Sequence, residues 1–69
     1  GAREALTAHL LALLRAQPGQ PFTRAALLAA LEQEGLRPST RTFQRALARL
    51  YLYGVSSAFT AHEKTWTLK

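Results

Sequence analysis

At Gly54 the apolar residues of this sequence change their spacing. Upstream they recur three and four apart, the repeat of a helix with one buried face; downstream they recur at alternate positions, the repeat of a half-buried strand. The chain must therefore close a small set of helices with a β-hairpin. At 69 residues it has room for one core, so residues 1–69 are expected to form a single domain. A chain of this length buries only roughly 60% of the surface its unfolded form exposes, and with no cysteine it cannot use a disulfide or a thiolate metal site as a staple.

Residues 3–16 contain no Gly or Pro and are dominated by Leu and Ala, which predicts a first helix. Leu6, Leu10, Leu13 and Leu14 share its core face, with Leu11 at the edge. Ala5, Ala8, Ala12 and Ala16 fall in a second narrow arc, leaving the helix apolar nearly all round. Exposed apolar stripes mark contacts, so this arc is a candidate interface to a second copy or an adjoining domain.

Gln17-Pro18-Gly19-Gln20-Pro21 is a dense turn signal. Thr23 follows as an N-cap, with Phe22 placed to staple the next helix, over about 24–34, through Leu27. Leu27, Leu28 and Leu31 form its core stripe; Gly35 supplies the left-handed closing residue and Leu36 the apolar residue that folds back. Only Leu36, Arg37 and Pro38 separate this helix from the next cap, Ser39, so the chain turns a sharp corner.

The third helix, over about 40–53, is two-faced. Phe43, Ala46, Leu47 and Leu50 make a buried stripe, while Arg41, Gln44, Arg45 and Arg49 occupy the opposite arc at 100° per residue. Past Gly54, Val55 and Phe59 and then Trp66 and Leu68 are the inward set of a hairpin over about 55–68, whose tip is Ala61-His62-Glu63-Lys64. An isolated hairpin is marginal in water, so it must lie on the helices.

Nine Lys and Arg against four acids give a formal charge of +5. A balance this basic in so small a chain points to a polyanionic partner, most often nucleic acid. No apolar run approaches the roughly 20 residues of a membrane-spanning helix, and Leu10–Leu14 is too brief for the core of a signal peptide. A cytoplasmic location is expected. Two histidines without cysteine or clustered acids offer no metal-ligand spacing, and no acid, base and nucleophile assemble a catalytic set. Neither a cofactor nor an enzymatic activity is expected. Ser56 and Ser57 are strand residues, Trp66 a packing residue, and His9 a surface residue.

Helix, helix, tight corner, basic helix and hairpin is the order of a winged helix-turn-helix, a mainly α fold of three helices and a β-hairpin wing. Thr23-Arg24-Ala25-Ala26-Leu27-Leu28, followed by Gly35-Leu36-Arg37-Pro38-Ser39-Thr40-Arg41-Thr42-Phe43-Gln44-Arg45-Ala46-Leu47, resembles many bacterial regulators of that family. The Ser cap, the Thr, the apolar residue with Arg two positions on, then two Leu and a closing Gly are similar to the recognition helix of Fur-type and DeoR-type repressors. With the first helix and the hairpin, the resemblance extends over nearly the whole chain.

It implies that the third helix enters the major groove of double-stranded DNA, presenting Thr40, Arg41, Gln44, Arg45 and Arg49. It also implies that the hairpin tip, through Lys64, touches the backbone, and that the host is bacterial or a phage. Independently of the resemblance, the amides at the start of that helix favour anions, which suits Arg37, Ser39 and Thr42 to phosphates; Thr23, Arg24 and His62 are further phosphate candidates. Thr23 and Ser39 are structural caps first. The expected function is duplex DNA binding, as a transcriptional regulator or as the DNA-binding module of a larger protein, with a homodimer as one arrangement. The competing expectation is a protein-interaction module of the same fold that assembles through the Ala arc.

Overall fold

The first helix, α1 (Ala2–Ala16), is held by one wide leucine face. In the computed structural model, which describes all 69 residues apart from the side chain of Ala2, Leu6, Leu10, Leu11 and Leu14 are buried and Leu13 only partly so. The face is thus rotated toward Leu11 from the centre that the spacing suggests. Thr7 is buried beside it, and its hydroxyl donates to the Arg3 carbonyl at 2.9 Å, so that hydroxyl is not left unmet. Ala5, Ala8, Ala12 and Ala16 are exposed.

Gly19, at φ 83°, turns the chain after α1, and its N–H donates to the Leu68 carbonyl at 2.7 Å. That bond ties the first loop to the last strand and introduces an element that the sequence pattern did not predict. Phe22 and Thr23 form a two-residue strand, β1, pairing with Trp66 and Thr65. Two residues are too few for an alternation to register.

Thr23 then caps α2 (Arg24–Gln33), its Oγ1 accepting from the Ala26 N–H at 3.0 Å. At the far end Gly35 has φ 79°; its N–H reaches the Glu32 carbonyl and the Leu36 N–H reaches that of Leu31. These are the two bonds of a Schellman stop. After the corner, Ser39 Oγ accepts from the Thr42 N–H at 3.2 Å and donates to Thr42 Oγ1, starting α3 (Thr40–Arg49).

A single α-helix to residue 53 was expected, but α3 stops at Arg49 and Leu50–Tyr53 wind as a 3-10 turn. Gly54, at φ 86°, draws its N–H toward the carbonyls of both Leu50 and Tyr51, and the last turn tightens to meet it. As a result Leu50 is buried while Tyr51, Leu52 and Tyr53 are exposed.

Strands β2 (Val55–Thr60) and β3 (Glu63–Leu68) form the C-terminal hairpin, and with β1 they make a three-stranded antiparallel sheet in the order β1-β3-β2. The architecture is therefore a mixed α/β arrangement of three helices and a three-stranded sheet, with more sheet than a helical bundle carrying only a hairpin. Val55 and Trp66 complete the core with Leu27, Leu31, Phe43, Ala46, Leu47 and Leu50, and Leu68 packs against it partly buried. Phe59 does not join them. It lies on the inward parity but is paired with Lys64, beyond the level of Trp66, and stays 77% exposed. The helices underlie only the base of the hairpin.

The tip is also shorter than expected. Thr60 pairs with Glu63, leaving Ala61 and His62 as a two-residue turn with φ of 52° and 69°. Such a turn matches strand twist but favours Asn-Gly, because other side chains are crowded in the left-handed region. Ala61→Asn combined with His62→Gly is expected to raise stability by about 1 kcal/mol, measured by urea unfolding. A loss of stability would contradict this turn geometry.

Candidate functional site

Rotation of α3 about its axis decides what the site contains. With Phe43, Ala46, Leu47 and Leu50 buried, Thr40, Arg41, Gln44, Arg45, Ala48 and Arg49 are left exposed. Thr42 is half-buried because its hydroxyl closes against Ser39. Arg37 and Ser39 are exposed at the corner immediately before the helix.

The exposed arc borders two different grooves. On one side Gln44, Leu47 and Ala48 of α3 face Arg24 at the start of α2 and His62, Glu63, Lys64 and Trp66 of the hairpin, around a cleft of about 470 Å³. On the other, Arg45 lines a shallow groove with Arg3, Glu4 and Thr42. Arg49 lies further round, with Tyr53, Glu4, Thr7, Ala8 and Leu11. Of the four polar residues grouped as a single ridge on the helical wheel, Gln44 belongs to the hairpin side, Arg45 and Arg49 to the α1 side, and Arg41 is exposed between them and lines neither groove.

Two cations of the first groove are set in place by aromatic rings. Arg24 Cζ stands 5.1 Å from the centroid of Phe43, and Lys64 Nζ stands 5.4 Å from that of Trp66. A cation over a ring face gains about 0.5–1 kcal/mol at exposed sites. Each side chain gives up some freedom before any ligand arrives. Lys64, expected at the hairpin tip, lies instead in β3, inside the groove wall, and Arg24, expected only as a further phosphate candidate, stands opposite α3 in the same groove. Nothing in the spacing signals this pairing, since Arg24 and Phe43 are brought together only by the tertiary fold.

Two acids lie in this surface, Glu63 in the first groove and Glu4 beside Arg45 and Arg49, but neither forms an ion pair with the arginines of α3 or with Lys64 among the described residues. Among the described residues, Glu4 pairs with the N-terminal ammonium at 3.3 Å and lies 3.8 Å from Arg3, and Glu34 approaches His9 Nδ1 at 3.3 Å. Arg24, Arg37, Arg41, Arg45, Arg49 and Lys64 stand in no ion pair among the described residues. The Glu4 carboxyl is held below the usual carboxylate range, chiefly by the hydrogen bond from the N-terminal ammonium and then by its own backbone N–H. It therefore keeps a negative charge at the α1 border of Arg45. No three His, Cys, Asp or Glu side chains gather as a metal site among the described residues, and no helix there is long and apolar enough to cross a membrane.

No protein-family model, curated protein sequence or solved structure matches the chain.

Trp66 is the chain's one tryptophan and reports on the groove. Lys64→Ala is expected to shift its emission to longer wavelength, because the ring loses its cover on the groove side, while Arg41→Ala leaves the spectrum unchanged. Identical spectra for Lys64→Ala and the parent would contradict the Lys64–Trp66 contact.

Proposed function

We propose that the chain is a winged helix-turn-helix module that binds duplex DNA, with α3 in the major groove and the β2–β3 hairpin as a short wing on the backbone. The observation that carries the reading is the exposed, unpaired set Arg41, Arg45 and Arg49 on α3, on a helix whose Gln44 side borders a groove with Lys64 in its opposite wall. The order of elements and the strand order β1-β3-β2 are compatible with that fold. Arg41 and Gln44 are the base-reading residues of the proposal. Arg reads guanine through O6 and N7 and Gln reads adenine through N6 and N7, each pair contributing about 1–3 kcal/mol of discrimination.

Phosphates are assigned to Arg37, Ser39, Thr40 and Thr42 at the start of α3, where free amides and the helix dipole favour anions. Arg45 and Arg49 take the strand on the α1 side. Arg24 and Lys64, with His62, take the strand on the hairpin side, and Thr23 supports Arg24 as its cap. A two-residue tip carrying no Arg or Lys suits contact with the backbone better than insertion into the minor groove. The role proposed is that of a transcriptional regulator or of a DNA-binding part of a larger protein, acting by binding rather than by catalysis.

A second reading, assembly through α1, is favoured by one observation: Ala5, Ala8, Ala12 and Ala16 are all exposed, a strip of small side chains that another helix can approach closely. Titration of a labelled duplex at several salt concentrations separates the two. Binding is expected to weaken with salt at a log–log slope of roughly −0.9 per phosphate contacted, and Arg41→Ala with Arg45→Ala is expected to weaken it by about tenfold or more. A flat salt response, or a double variant that binds as well as the parent, would overturn the DNA reading.

A further inference from the structure

Strand β2 is an unusually unguarded sheet edge. Edge strands are kept from pairing with other chains by being short, by Lys or Pro, by inward charges or by bulges. β2 has six residues, Val-Ser-Ser-Ala-Phe-Thr, with no charge and no proline, and its register with β3 runs unbroken from Val55↔Leu68 to Thr60↔Glu63. The opposite edge, β1, has only two residues. Around β2 the chain is also neutral: Leu50–His62 is the longest stretch of the sequence without Asp, Glu, Lys or Arg. Within it lie all four large exposed apolar side chains, Tyr51, Leu52, Tyr53 and Phe59.

We infer that β2 is a dimerisation edge, on which the β2 strand of a second copy pairs antiparallel about a two-fold axis at Ser57. The hairpin dictates the register. A two-residue turn makes Thr60 and Glu63 the closing hydrogen-bonded pair, and bonded rungs alternate from there. Ser56, Ala58 and Thr60 direct their N–H and C=O groups to β3; Val55, Ser57 and Phe59 direct theirs to the open edge. An antiparallel copy satisfies all three residues at once only when Ser57 faces Ser57 and Val55 faces Phe59.

That register puts Phe59, exposed in the single chain, beside the second copy's Val55, at the margin of its core. Charge selects the occupant. Two copies each carrying +5 repel wherever arginines would meet, and the Leu50–His62 stretch allows approach without that cost. The assembly closes on itself, because the joined sheet ends in β1 on both sides and two-residue edges do not extend it.

Sedimentation of the chain over a range of concentrations, compared with Ser57→Lys and Ser56→Lys, each checked for native circular dichroism, tests this arrangement. The parent is expected to pass from 7.6 kDa to twice that mass with rising concentration. Ser57→Lys sets two ammonium groups opposite each other and is expected to weaken the dimer by about tenfold; Ser56→Lys faces Ala58 of the second copy and weakens it less. Because the chain has no cysteine, Ser57→Cys gives an independent measure: facing Cα atoms at about 5.5 Å lie within disulfide reach, so mild oxidation is expected to link it faster than Ser56→Cys. A parent that stays monomeric to about 1 mM, a dimer that Ser57→Lys leaves intact, or one broken instead by Ala8→Glu on α1 would overturn the proposal.

Discussion

The packing of Phe43, Ala46, Leu47 and Leu50 beneath α1 and α2 is the contact on which the rest of the structure depends. A helix has one rotational degree of freedom about its own axis, and burying this stripe removes it. Phe43 is 1% exposed and Leu50 fully buried, so turning α3 by one residue would carry Gln44 or Arg49 into the core, and turning it further would carry in Arg41 and Arg45. Burying an unpaired guanidinium costs several kcal/mol, more than a domain of this size can absorb. The outward direction of Arg41 and Arg45 is thus a consequence of core packing.

The sheet gives that surface its second wall. The bond from Gly19 to Leu68 and the pairing of Phe22 with Trp66 fix the start of α2 beside β3, which sets Arg24 and Lys64 along one groove. Phe43 serves both structures: its buried ring fills the core, and one face of it receives Arg24. The hairpin has no comparable anchor beyond Trp66, which is why Phe59 and the Ala61-His62 turn stand clear of the helices.

Strong local rules made much of this legible in the sequence. Thr23 and Ser39 cap as their side-chain chemistry requires, Gly35 and Gly54 adopt the left-handed conformation that their positions demand, and the α3 stripe follows its periodicity. What escaped depends on distance along the chain or on reach. β1 forms because β3 lies beside it, not because two residues prefer a strand. Phe59 had the correct parity, but parity does not say how far the helices extend under a hairpin. The end of α3 depended on how the Gly54 N–H shares its acceptors. The division of the polar arc, with Gln44 toward the hairpin and Arg45 and Arg49 toward α1, requires the positions of α1 and β3, which no helical wheel contains.

The proposed DNA-binding surface thus rests on geometry supplied by an apolar core. The most direct measurement is a backbone-amide NMR titration of the labelled chain with duplex DNA, since it reports every residue in one experiment. The account requires the largest shift changes at residues 39–45, at Arg49, at Arg24 and across 62–66, with α1 residues 12–16 nearly unmoved. Changes concentrated on the Ala8–Ala16 face, or none at all beyond non-specific broadening, would contradict it.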